Sequence, residues 1–192
     1  MKYATLHERL RGPIAKALKE ELKIANTHAL PRLDKVIVNV GINRSKMEGK
    51  EMLEYISDCL AKMTGQKPVM RLSRKAISNF KIRKGLVVGA VVTLRGKQME
   101  AFLDRLVSYV LPRIRDFRGL PTKMDGHGNY AIGLTDHSVF PEIPNTDLGR
   151  TFGLQIQITT TAKTDEQAKA LLKHIGVPFR PDRRSQEALA AA

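Results

Sequence analysis

Residues 86–95, LVVGAVVTLR, decide the fold. Val88, Ala90, Val92 and Leu94 fall on one side of this stretch, and Gly89, Val91, Thr93 and Arg95 on the other. A period of two among β-branched residues predicts a strand with two unlike faces. One face is aliphatic; the other keeps a hydroxyl, a guanidinium and a glycine. Residues 34–41, DKVIVNVG, repeat the pattern, with Val36, Val38 and Val40 against Lys35, Ile37 and Asn39. Residues 152–161, FGLQIQITTT, repeat it again, with Leu154, Ile156 and Ile158 against Gln155, Gln157 and Thr159. Shorter strands are predicted at 67–71 and 130–134.

Helical spacing fills the intervals. The first 25 residues predict two helices divided at Gly12-Pro13, where Pro13 suits a first helical position. Residues 48–64 place Met52, Ile56, Cys59, Leu60 and Met63 on one helical face, with Gly65 closing it. Residues 97–111 do the same through Met99, Phe102, Leu103, Leu106, Val107 and Val110, and Pro112 is expected to end that helix. Thr164 is expected to cap a last helix with Gln167 in capping-box position, and Gly176 and Pro178 to stop it. Residues 72–84, 113–129 and 135–150 lack a period and predict loops. No helix joins the second and third strands. The pattern predicts an α+β fold: a mostly antiparallel sheet with helices packed on one face and the other face open. One domain is expected over 1–180, with a polar, mobile tail at 181–192.

The 192 residues include 33 Lys plus Arg and 19 Asp plus Glu, a net charge of +14. With 42% apolar residues and a mean hydropathy of −0.26, the chain has material for a core. Its longest strongly apolar uncharged run, Leu86–Leu94, is far short of the about 20 residues of a spanning helix. The opening MKYATLHERLRG has no apolar signal region, so a cytoplasmic protein is expected. A single cysteine excludes an internal disulfide and a multi-cysteine zinc site.

The charge is concentrated. Residues 67–97 carry nine cations (Lys67, Arg71, Arg74, Lys75, Lys81, Arg83, Lys84, Arg95 and Lys97) and no acid. A solvated helix face would alternate its signs, and this segment does not. It also holds Ser73, Ser78, Asn79 and Gly85, whose hydroxyl, amide and backbone groups suit phosphate. A polyanion, and among polyanions a nucleic acid, is the expected partner. The polar strand faces carry no aromatic side chain. Such a face suits hydrogen bonding to sugar, phosphate and shape in a folded RNA better than the stacking of splayed bases.

Motifs for catalysis are missing. There is no P-loop, no HExxH and no GxSxG. GHGNYA at Gly126–Ala131 has dinucleotide-fingerprint spacing, but it precedes a strand and predicts a turn. His7, His28, His127, His137 and His174 are scattered, and the neighbours Asp125/His127 and Asp136/His137 are expected on loop surface. Cys59 is expected in the core. Asn43-Arg44-Ser45 is a glycosylation sequon without meaning in an unsecreted chain. No enzyme, cofactor or metal is expected.

Several blocks resemble one family. PRLDKVIVNVG (31–41), TGQKPVMRLSRKAISNFKIRKG (64–85), VTLRG (92–96), LPRIRDFRGL (111–120), DGHGNYAIG (125–133), FPEI (140–143) and TTTAKTDEQAKALLKHIGVPF (159–179) are similar to the bacterial large-subunit ribosomal protein five family. The resemblance runs in order over most of the chain, and IPNTDLGRT at 143–151 departs from it. It implies a sheet with helices on one side and RNA on the other. It implies binding of 5S rRNA, its attachment to 23S-type rRNA among other central-protuberance ribosomal proteins, and contact with P-site tRNA. It also implies an intersubunit bridge to small-subunit ribosomal protein thirteen, through the regions around 111–118 and 135–150. The family's RNA-contacting polar positions match Asn39, Gln66 and Thr93, beside which stand Lys35, Lys67 and Arg95. Its tRNA-directed loop matches Arg71, Arg74, Lys75, Asn79, Lys81 and Arg83. The alternatives are a free nucleic-acid-binding regulator, which lacks a helix-turn-helix or heptad pattern, and an enzyme on phosphorylated substrates, which lacks a catalytic constellation.

Overall fold

The computed structural model describes residues 5–24, 26–42, 49–143 and 151–180. The tail 181–192, the sequon at 43–45 and residues 144–150 lie outside the described residues. The elements run α1 (Leu6–Arg11), α2 (Pro13–Leu22), β1 (Leu33–Gly41), α3 (Lys50–Thr64), β2 (Val69–Leu72), β3 (Val87–Leu94), α4 (Gly96–Arg105), α5 (Leu111–Arg113), β4 (Tyr130–Leu134), β5 (Leu154–Thr160) and α6 (Asp165–Ile175). The five strands form one antiparallel sheet in the order β2-β3-β1-β5-β4. The chain is therefore α+β, with every strand within about two residues of its sequence-based bounds.

Two compact units make up the chain. One comprises Lys35–Phe102 and Ala131–Gln157, and it holds nearly all of the sheet. Alternation builds it. Val36, Val38, Val40, Ala90 and Leu94 are fully buried, and Val92 nearly so. Burying each of these valine and leucine side chains contributes roughly 1.5–3 kcal/mol. The apolar side of α3, with Ile56, Cys59, Leu60 and Met63, is buried in the same unit, where α3 packs against β3. Cys59 is a core residue.

The other unit takes in the described residues within 5–34, 103–130 and 158–180. Here α2 packs on both α1 and α6. Leu6, Ile14 and Leu18 are buried there, as are Ala168, Leu171, Leu172 and Ile175. The Arg9 guanidinium donates to the Ile175 carbonyl at 3.3 Å, at the C-terminal end of α6 where a cation is favoured. DGHGN is a turn, as its glycines predict. The Asp125 carboxylate accepts from the His127 and Asn129 backbone N–H groups at 2.8 and 2.9 Å. Gly126 and Gly128 donate to the Asp165 carboxylate at 3.1 and 3.0 Å.

Three expectations change. Pro112 does not end its helix: a π-helical turn, Leu106–Val110, leads into α5, which contains Pro112. The Leu111 N–H donates to the Leu106 carbonyl, five residues back. Proline has no N–H to give, and its ring crowds the turn behind it, so the widened turn lets the helix restart with Pro112 in first-turn position. Thr164 occupies the N-cap of α6 without a side-chain cap bond, and Gln167 instead accepts from the Lys163 N–H at 3.2 Å. The capping box sits on α1, between Thr5 and Glu8.

The third change concerns His137, which is buried rather than on loop surface. Its ring stacks on Phe152, with centroids 4.0 Å apart and planes 14° apart. The Phe152 backbone N–H donates to His137 Nδ1 at 3.4 Å, which leaves the ring proton on Nε2 facing the Tyr55 hydroxyl at 3.1 Å. Burial pushes the imidazole below its ordinary range, and the Asp136 carboxylate opposes this only in part.

Candidate nucleic-acid interface

β3 lies between β2 and β1, so three strands present one face whose rows are fixed by register. Val69, Val91 and Asn39 stand side by side across β2, β3 and β1. Arg71 and Gly41 flank Gly89 in the next row. On the other side of the Asn39 row, Thr93 pairs with Ile37. Lys35 and Arg95 come one step beyond the last pair, Val36 with Leu94. Thr93 and Arg71 are exposed, and Asn39, Ile37 and Lys35 half-buried. Gln155 and Gln157 of β5 are exposed as well. The face is more apolar than its polar residues suggest, because Ile37, Val91 and Val69 share it.

Gly89 is the thin point of this surface. Its backbone is buried, and a Cβ there would stand 3.0 Å from the Val40 carbonyl oxygen. Gly41 beside it is exposed, with open space where a Cβ would stand. Arg71 belongs to the sheet, within β2, rather than to the basic loop; a bulge follows it, between Arg71 and Leu72.

Gln66 and Lys67 lie between the end of α3 and the start of β2. Gly65 takes the left-handed C-cap position at φ 71°. The buried Thr64 hydroxyl donates to the Leu60 carbonyl at 2.6 Å and receives the Gln66 N–H at 3.3 Å. Thr64 thus fixes the path of the chain, while the side chains of Gln66 and Lys67 are exposed. Nothing in the sequence marks Thr64 for this role beyond its place before the glycine.

The basic segment is an ordered hairpin. Ser73 donates its N–H to the Leu86 carbonyl at 2.7 Å and accepts from the Gly85 N–H at 3.0 Å, which closes the base. Nearer the tip, Ile77 and Ile82 exchange backbone hydrogen bonds of 2.9 and 3.1 Å. Between them Ser78–Phe80 make one 3₁₀ turn, and Lys81 takes a left-handed conformation at φ 52°. Arg74, Lys75, Asn79, Lys81, Arg83 and Lys84 are all exposed on this hairpin. Phe80 at its tip is 69% exposed.

Two family models match in tandem: "Ribosomal protein L5" over residues 26–83, and the C-terminus model of the same ribosomal family over residues 87–179. The chain belongs to the ribosomal protein L5 (uL5) family. The large ribosomal subunit protein uL5 of Rubrobacter xylanophilus is 48% identical over 180 residues, 93% of this chain and 99% of that protein. That of Natranaerobius thermophilus is 46% identical over 177 residues, covering 92% and 98%. That of Acaryochloris marina is 49% identical over 164 residues, covering 85% and 90%. Members of the uL5 family are structural components of the large ribosomal subunit and not enzymes. Among the described residues, no cluster of His, Cys, Asp or Glu is arranged to hold a metal ion, and no helix is long and apolar enough to cross a membrane.

Proposed function

We propose that this chain binds 5S rRNA through the open face of the sheet and helps attach it to 23S-type rRNA in the central protuberance. The 73–86 hairpin then reaches toward P-site tRNA. The observation that carries the reading is the pairing of two unlike surfaces in one unit. The sheet face offers the neutral side chains of Asn39 and Thr93, with the exposed Gln66 in the turn that leads into β2. The hairpin offers exposed cations and no acid. Neutral groups at fixed register suit positioning on one RNA, and cations on a projecting hairpin suit reach toward a second. The bridge to small-subunit ribosomal protein thirteen is part of the same proposal and rests on the resemblance around 111–118 and 135–150.

Filter binding of full-length protein to 5S rRNA tests the sheet face. Asn39→Ala or Thr93→Ala is expected to weaken binding by about 1–3 kcal/mol, the cost of leaving a buried partner group unsatisfied. Unchanged affinity in both variants would show that the face is merely solvated.

A further inference from the structure

Phe80 is the most exposed large apolar side chain among the described residues, at 69%, and the reading of the hairpin as a set of phosphate-binding cations leaves it unexplained. Its position is built. The Ile77–Ile82 pair closes a four-residue loop on two backbone hydrogen bonds, and Lys81 donates its N–H to the Ser78 carbonyl at 2.9 Å. Lys81 also holds a left-handed φ of 52°, a conformation that is disfavoured for a non-glycine residue. The loop thus accepts backbone strain and holds an aromatic ring in water at the tip. The same hairpin carries the exposed Arg74, Lys75, Lys81, Arg83 and Lys84, and the sequence has no acid from 67 to 97.

We propose that Phe80 is a stacking anchor for an unpaired nucleobase on a folded RNA. The aromatic face takes the base, and the surrounding cations take the phosphates on either side of it. A protein pocket is the rival occupant, and the uniform positive charge around the ring favours the polyanion. The sheet face thus positions RNA without stacking, and the hairpin tip adds the one stacking contact. This inference rests on the hairpin's assignment to RNA.

The chain contains no tryptophan, so Phe80→Trp places a single indole at the tip of the full-length protein. At low salt, where the charge ensures complex formation, deacylated tRNA and 5S rRNA are titrated in separate arms, with binding checked by filter retention. Strong quenching of the indole in either arm is expected, and the arm identifies the RNA. Phe80→Leu keeps an apolar side chain without a π face. It is expected to weaken binding to that RNA by roughly 5- to 150-fold, while Phe80→Tyr stays near wild type. Retained complexes without quenching, or Phe80→Leu binding like wild type, overturn the stacking. If Arg74→Gln with Lys75→Gln also leaves both RNAs unaffected, the hairpin's assignment to RNA fails as well; if that variant weakens binding, only the stacking fails.

Discussion

The His137 ring packs against Tyr55 and Phe152, where burial disfavours its charged form. Its folded-state pKa lies below the unfolded value of about 6.5, because burial disfavours the imidazolium more than Asp136 favours it. The unfolded chain therefore takes up a proton at a pH where the folded chain does not. Stability from this site is complete above about pH 6.5 and is lost as the pH falls below it. Urea unfolding at pH 7.5 and 5.5 is expected to give a lower midpoint at the acidic value. Exchange for phenylalanine, His137→Phe, should shrink that difference. A midpoint insensitive to pH in the wild type would mean that the imidazole charges without loss inside the fold. The burial is not legible in the sequence. Asp136-His137 has the local composition of a surface loop, and what packs on the histidine arrives from Tyr55, 82 residues earlier, and from Phe152, 15 residues later.

At the level of elements, the hairpin and the sheet face are separable. The cations of the hairpin project beyond strands whose register is fixed by β1–β3 pairing from Val36/Leu94 to Gly41/Gly89. Changing the hairpin leaves that register alone. Arg74→Glu with Lys75→Glu is expected to weaken tRNA engagement while largely sparing 5S rRNA binding, both measured as affinities on the same preparation. Equal loss of both would refute the division of labour. The strands are legible because a half-buried strand prints its two faces at period two, as Val36/Val38/Val40 against Lys35/Ile37/Asn39 does. The hairpin is not. Its tip is closed by the bridge of Ile77 with Ile82 and its base by Ser73 with Leu86 and Gly85, across residues that show no alternation. Phe80 is silent for the same reason: an aromatic in an aperiodic run carries no sign of burial or exposure until the turn that holds it is seen. The π-helical turn before Pro112 is equally silent, since a proline that restarts a helix and one that ends it read alike.

For the molecule as a whole, the net charge of +14 sets the strength of attraction to RNA but not where on the RNA the protein sits. Each phosphate neutralised releases counterions, so the logarithm of the binding constant falls with the logarithm of salt by about 0.7–0.9 per phosphate contacted. A neutral side chain such as Asn39 releases none. The two classes of residue therefore leave different signatures on one plot. Arg74→Gln with Lys75→Gln is expected to flatten the salt dependence of RNA binding by up to about 1.4–1.8 in slope, if both side chains meet phosphates. Asn39→Ala is expected to shift the line down at every salt concentration and leave its slope unchanged. Fluorescence anisotropy across a salt series, with the three proteins side by side, measures both. A slope that changes with Asn39→Ala would mean that the sheet face binds through charge after all. A slope indifferent to the loss of two hairpin cations would place the phosphate contacts elsewhere among the 33 basic residues.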